Sequence, residues 1–137
     1  MTKIKYDSTL MKYISLFETL TRTQVKDCII NSQVIFIVHE NQIAKAIGRN
    51  GSNVRRLEHI LNRKIKIVEF NPNVLKFISN YIYPLEVKDI KEENGFITII
   101  GQDTKTKGLL IGRDSKNLNS LKSIVNRYFN IKDIKVV

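Results

Sequence analysis

The chain has 137 residues, and its hydrophobic fraction of 42% is enough for a folded core, which excludes a protein that is disordered throughout. Lysine and arginine together number 23 against 13 aspartate and glutamate residues, so the formal net charge at pH 7 is +10. A small protein this basic attracts polyanions, because each phosphate that a lysine or arginine neutralises releases counterions. Membrane surfaces are anionic as well, so charge alone leaves nucleic acid and membrane open as partners.

Cysteine, histidine and the N-terminal segment exclude other classes. Cys28 is the only cysteine, which rules out a disulfide framework and a thiolate metal site. His39 and His59 lie far apart, and no third ligand or nucleophile stands at a recognisable spacing from them. Residues 1–7 lack the apolar segment of a signal peptide, and no apolar run reaches the ~18 residues of a membrane span. We expect a cytoplasmic protein that is not an enzyme, with no catalytic residue, metal, cofactor or membrane contact.

An internal repeat is the clearest feature of the chain. Residues 47–50, Ile-Gly-Arg-Asn, recur at residues 111–114 as Ile-Gly-Arg-Asp, an offset of 64 residues. At the same offset three further pairs share their residue type: Asn53 and Asn117, Leu57 and Leu121, and Ile60 and Ile124. A match sustained through a turn and the following helix indicates duplication of one structural unit.

The first copy opens with a helix and two strands. Asp7 or Ser8 can cap a helix. Its apolar positions have nearly helical spacing: Leu10, Ile14, Phe17 and Leu20. The β-branched runs at residues 25–30 and 34–38 predict two strands joined by a tight turn at Asn31-Ser32.

Two short helices and a third strand complete the first copy. Asn41 can cap a helix that Gly48 ends, and a second helix opens after Gly51. Asn62 ends that second helix, and residues 64–68 alternate between polar and apolar as a strand does.

The second copy is predicted to contain the same elements. Asn71 caps its first helix and Pro72 takes the first helical position. Strands at residues 85–91 and 96–100 flank Asn94-Gly95, a strong signal for a two-residue hairpin turn.

The remainder of this copy holds two helices and a strand. Thr104 caps the first of these helices, and the final strand covers residues 131–136. The order helix, strand, strand, helix, helix, strand therefore occurs twice. It predicts an α+β protein in which helices cover one face of each three-stranded sheet. The expected domains are residues 1–70 and 71–137.

The turn between the two short helices of the first copy carries the chemistry. Gly48 and Gly51 remove the Cβ atoms that would keep another backbone at a distance. The turn leads into a helix N-terminus, where free N–H groups and the helix dipole favour an anion. The expected RNA-binding residues are Lys45, Ile47, Gly48, Arg49, Asn50, Gly51, Ser52, Asn53, Arg55 and Arg56, with Gly112 and Arg113 in the second copy.

A Gly-x-x-Gly turn alone is a weak signal, since many helical hairpins end in glycine. Here it lies between two short helices, strands flank it in the required order, and it recurs. That combination is what a KH domain needs, because its GXXG loop clamps the backbone of about four nucleotides.

On these features the chain resembles the archaeal NusA-like proteins, which consist of a tandem pair of type II KH domains. The segments that carry the resemblance are residues 17–18, 25–30, 34–38, 45–57, 108–113 and 117–118. The resemblance covers nearly the whole chain. It implies binding of single-stranded RNA at the loop Gly48–Gly51 in transcription elongation, termination or antitermination. RNA polymerase is then a candidate partner, and a monomer is favoured.

The second loop departs from the family pattern, since it reads Gly112-Arg113-Asp114-Ser115. Ser115 adds a Cβ where a phosphate would approach, and Asp114 adds a negative charge. We therefore expect the first copy to dominate RNA binding, with Ser115 serving as a helix cap instead.

Two other partners remain open at this point. Type II KH units also serve in ribosomal contexts, so the basic surface could bind structured ribosomal RNA in a ribosome assembly factor. An assembly factor sediments with ribosomal particles, whereas a transcription factor sediments with RNA polymerase. KH grooves can also accept single-stranded DNA.

Overall fold

The computed structural model describes residues 8–137, which divide into two compact units between Asn71 and Pro72. Asp7, one of the two candidate caps of the first helix, lies outside the described residues. The predicted α+β class is confirmed, because each unit combines helices with its own three-stranded mixed sheet. The order helix, strand, strand, helix, helix, strand also occurs twice, as predicted.

The first unit builds a sheet around a central strand. Its elements are α1 (Ser8–Thr21), β1 (Val25–Ile30), β2 (Val34–Val38), α2 (Ile43–Ile47), α3 (Ser52–Leu61) and β3 (Ile65–Glu69). β2 is antiparallel to β1 and parallel to β3, so α2 and α3 form the crossover that joins two parallel strands. A single 3₁₀ turn, Arg49–Gly51, separates these two helices.

The core of the first unit lies between one face of this sheet and the helices. Phe17 of α1 stacks on Phe36 of β2 with 4.2 Å between ring centroids, and both side chains are fully buried. The other buried members of this core are Leu10, Cys28, Val34, Val38, Ala46, Leu57 and Ile65. Alternate residues of β2 thus face the helices. This alternation fixes the register of the strand and the position of α2 and α3 over the sheet.

The second unit repeats this topology. Its elements are α4 (Val74–Ile82), β4 (Val87–Glu93), β5 (Phe96–Gly101), α5 (Thr104–Ile111), α6 (Lys116–Tyr128) and β6 (Asp133–Val136). β5 is antiparallel to β4 and parallel to β6. The predicted hairpin turn is confirmed, since Asn94 and Gly95 have φ values of 53° and 85° between β4 and β5.

The predicted cap of α4 is wrong by two residues. Asn73, not Asn71, is the N-cap, and its side-chain oxygen accepts from the N–H groups of Leu75 at 2.9 Å and Lys76 at 3.3 Å. Pro72 consequently precedes the cap and does not open the helix. Two asparagines stand within three residues here, and the second, Asn73, has the extended backbone typical of an N-cap.

The caps of α5 and α2 are also wrong. Asp103 caps α5 by accepting from the N–H of Thr106 at 2.7 Å, so Thr104 is the first helical residue. Asn41 has a φ of 66° and cannot cap, and Gln42 precedes α2 instead. Three strands begin one or two residues later than predicted, at Ile65, Val87 and Asp133.

The Asp103 cap makes the second unit sensitive to acid. Hydrogen bonds from the backbone N–H and the side chain of Thr106 lower the pKa of Asp103 below its ordinary value. The unfolded chain therefore takes up this proton at a higher pH than the folded chain. The stabilisation is present above the unfolded pKa and is lost as the pH falls through the folded pKa.

Asp103→Asn tests this coupling, because asparagine caps a helix about as well as aspartate and does not titrate. We expect the wild type to lose more thermal stability than the variant between about pH 6 and pH 3, as measured by circular dichroism. The variant keeps some acid sensitivity, since Lys122 lies 2.9 Å from Asp133 and lowers the pKa of that carboxyl too. Equal losses in the two proteins would contradict a contribution from the Asp103 charge.

Candidate nucleic-acid interface

The turn between α2 and α3 depends on three residues with positive φ. Gly48 ends α2 with φ 80° and ψ 168°. Asn50 follows with φ 54° and ψ 31°, and Gly51 with φ 73° and ψ 19°. The chain therefore reverses within four residues, and the N-terminus of α3 comes to lie beside the end of α2.

A side-chain hydrogen bond holds the two helices together at this turn. The amide nitrogen of Asn53 in α3 donates to the carbonyl oxygen of Lys45 in α2 at 3.2 Å. The same amide group lies against Gly48, where a Cβ would come within 2.9 Å of the Asn53 Cγ and 2.8 Å of the Ser52 Oγ. Gly48 is therefore needed for the packing of the turn itself. The side-chain amide of Asn53 stabilises the same turn through its hydrogen bond to Lys45.

The second turn, between α5 and α6, has the same conformation. Gly112 has φ 75° and ψ 172°, Asp114 φ 54° and ψ 34°, and Ser115 φ 59° and ψ 22°. The amide of Asn117 donates to the carbonyl of Leu109 at 2.9 Å, as Asn53 does in the first unit. The serine thus adopts the backbone that Gly51 adopts in the first turn.

Ser115 does not cap α6 as predicted. It occupies the N-cap position, but within the described part of the chain its side chain makes no capping hydrogen bond. Its left-handed backbone accounts for this, because a capping side chain requires an extended N-cap residue.

The surface above Gly51 is open on one side. A Cβ built on Gly51 would have Nη1 of Arg55, at 3.3 Å, as its nearest described neighbour outside the adjacent residues. Arg55 in turn donates to the carbonyl oxygen of Asn50. Its guanidinium group is therefore fixed at the edge of the turn, next to the N-terminus of α3. An anion that approaches Gly51 meets this guanidinium and the positive end of the α3 dipole. The N–H groups of Gly51 and Ser52 are not free for it, because they donate to the carbonyl oxygens of Gly48, at 3.1 Å, and Arg49.

The predicted residues of the first copy lie on one continuous segment, α2 to α3. Its basic side chains are all exposed: Lys45, Arg49, Arg55 and Arg56. Glu58 does not compete with a ligand here, because its carboxylate accepts from the N–H of Ile65 at 3.2 Å. Gly112 and Arg113 occupy the corresponding turn of the second unit.

The second turn has lost most of this positive charge. The residues equivalent to Lys45, Arg55 and Arg56 at the 64-residue offset are Leu109, Asn119 and Ser120. The sequence alone could have shown this difference in charge. It requires an alignment of the two copies beyond the matching residues 47–50 and 111–114. Asp114 adds a negative charge and Lys116, at the position of Ser52, adds a positive one. Arg113 is the one cation of the first turn that recurs in the second.

Among residues 8–137 there is neither a metal-binding cluster nor a membrane-spanning helix. No group of three or more histidine, cysteine, aspartate or glutamate side chains among residues 8–137 could hold a metal ion. His39 and His59, for which the sequence offers no third ligand or nucleophile, are both exposed. The helices found among these residues are all too short or too polar to span a membrane.

Comparison with known proteins identifies the class. A family model described as the KH domain matches residues 12–93, so the chain belongs to the KH-domain family. Its full-length similarity is to archaeal proteins named probable transcription termination protein NusA. The protein from Thermoplasma acidophilum is 29% identical over 99% of this chain and 97% of its own length. The one from Methanocaldococcus jannaschii is 31% identical over 100% of this chain and 77% of its own length.

A solved structure has the same fold. The crystal structure of APE1850 aligns with a TM-score of 0.74, covering 96% of this chain and 100% of that one. The sequence identity is 24%, so this likeness concerns the fold alone.

The two turns permit a reciprocal exchange that measures backbone strain. A left-handed conformation costs an L-residue about 1 kcal/mol relative to glycine, so we expect Ser115→Gly to raise the free energy of unfolding by about that amount. Gly51→Ser should lower it by at least as much, because the new Cβ would also lie 3.3 Å from the Arg55 guanidinium. Urea denaturation of both variants gives the two values, and a stabilising Gly51→Ser would contradict the assignment of strain.

Proposed function

We propose that this protein is a non-enzymatic factor that binds single-stranded RNA in transcription elongation, termination or antitermination. Its two units then correspond to two tandem type II KH domains, residues 1–70 and 71–137. Membership of the KH family, the names of the full-length relatives and the basic charge support this proposal. The observation that carries it is the turn Gly48–Gly51, which combines an open glycine with exposed arginines at a helix N-terminus.

Binding at the first turn uses backbone and side chains together. A phosphate placed over Gly51 lies at the N-terminus of α3, where the dipole of that helix favours its negative charge. Arg49 and Arg55 add charge-assisted hydrogen bonds from either side of the turn. Asn50 is exposed and offers a neutral amide to the ligand. Bases of the strand then lie beside the turn, free to be read by neighbouring groups.

The second turn contributes less binding energy although its backbone matches. Asp114 sets a negative charge at the position of Asn50, and the Cβ of Ser115 projects into the space that Gly51 leaves open. Either change weakens a phosphate contact by about one charge-assisted hydrogen bond, on the order of 1.5–3 kcal/mol. We therefore assign most of the RNA affinity to the first unit.

RNA polymerase is the partner that this function implies, since a termination factor acts on the transcript as it leaves the enzyme. We place this action in the cytoplasm and assign it to a monomer.

Fluorescence anisotropy with short single-stranded RNA across a salt series tests the proposal. We expect the logarithm of the affinity to fall with the logarithm of salt concentration at a slope of about −0.7 per phosphate contacted. Arg49→Ala should reduce the affinity at least about tenfold, since one charge-assisted bond is lost. Asn50→Asp should reduce it similarly, and it is compatible with the fold because Asp114 holds the same backbone angles.

Arg113→Ala in the second unit is the matched control, and its effect should stay below about threefold. An equal loss of RNA affinity from Arg49→Ala and Arg113→Ala would show that the two turns contribute equally and would overturn the assignment to the first unit. If wild type ignores single strands but binds structured ribosomal RNA and sediments with ribosomal particles, the protein is an assembly factor instead.

A further inference from the structure

The outer face of α3 carries a concavity that the turn does not account for. It has a volume of about 470 Å³ and is lined by Ser52, Arg55, Arg56, His59 and Ile60. Ile60 is 52% exposed, so its side chain forms an uncovered apolar floor among basic neighbours. We call this feature the α3 concavity. It faces away from the core, because Leu57 of the same helix is fully buried whereas four of the five lining residues are exposed.

The second unit shows that the α3 concavity is not a by-product of the fold. Ile124 occupies the position of Ile60 in the repeat, yet it is only 3% exposed. The positions of Arg55, Arg56 and His59 are occupied there by Asn119, Ser120 and Ser123. Ser52, the remaining lining residue, corresponds to Lys116. The same helix of the same fold thus presents an exposed isoleucine beside two arginines and a histidine in one unit, and a buried isoleucine with a single lysine among the equivalent residues in the other.

We propose that the α3 concavity is a second contact for the single-stranded RNA that the turn Gly48–Gly51 holds. Nucleotides adjacent to the clamped ones lie along the outer face of α3. Arg56 takes the phosphate there. One base packs on the aliphatic surface of Ile60 with the imidazole of His59 beside it. This inference rests on the proposed function, since the strand reaches the concavity from the turn.

Continuity with the turn favours RNA over a protein segment as the occupant. Arg55 lines the concavity and also donates to the carbonyl of Asn50, so one guanidinium group borders both places. Ser52, the first residue of α3, lies at the same junction. A strand fixed at the turn therefore delivers its next nucleotides to the concavity at high effective concentration, whereas a protein segment gains nothing from this adjacency.

Oligouridylates of two lengths separate the two contacts, because the turn of a KH domain holds about four nucleotides. We expect the double variant Arg56→Ser, His59→Ser, which copies the residues of the second unit, to bind an oligomer of about ten nucleotides roughly tenfold more weakly than wild type. Its affinity for an oligomer of about four nucleotides should change less than about twofold.

Three controls accompany this measurement. Arg49→Ala should weaken both lengths by the same factor, because the turn is common to them. Lys88→Ser, at an exposed position of β4 in the second unit, removes one positive charge elsewhere and should affect neither length by more than about twofold. Both altered side chains of the double variant are exposed, so circular dichroism should report an unchanged thermal midpoint.

Each other outcome overturns the inference. Equal weakening of the two lengths would assign Arg56 and His59 to the general electrostatic field or to the turn itself. No weakening of either length would leave the concavity to a protein partner. If wild type binds neither oligomer and Arg49→Ala changes nothing, the proposed function fails and the second contact fails with it.

Discussion

The hydrogen bond from Asn53 to the carbonyl of Lys45 is the constraint on which the candidate site depends. It joins α2 to the beginning of α3. It also places the Asn53 amide so close to position 48 that only a residue without a Cβ, Gly48, fits there. With the helix ends fixed in this way, the backbone of the turn needs no ligand to take its shape. The site is therefore preorganised, and little binding energy is lost in ordering it.

Conformation and charge are separable in this fold, as the two units demonstrate. Asn117 repeats the constraint in the second unit, and the dihedral angles of that turn follow those of the first even through Ser115. Arg113 repeats Arg49, but the other cations are not repeated, since Leu109 stands where Lys45 does. The two units thus keep the same geometry of the turn while they differ in the charges around it.

The sequence predicts the class, the order of elements and the hairpin at Asn94-Gly95, because each depends on local chemistry or on a repeat. The first residue of a helix is harder to predict where several capping residues stand together, because the N-cap is decided by backbone angles. At the start of α4 the residue with the extended backbone is Asn73. Contacts between helices cannot be predicted from the spacing of residues along the sequence. Ile60 and Ile124 match in the repeat, yet only neighbouring helices decide that one is exposed and the other buried.

The crossover that joins parallel strands in each unit differs in length at its outer ends only. α2 and α5 have 5 and 8 residues, and α3 and α6 have 10 and 13, yet residues 45–56 and 109–120 align without a gap. Before the turn the two connections have nearly the same length, residues 39–47 and 102–111, so most of the extra length of the second unit lies after the turn, in residues 116–132 against residues 52–64. The turn therefore stands at nearly the same chain distance from the central strand in both units, and most of the variation in length lies on the side that leads into the last strand.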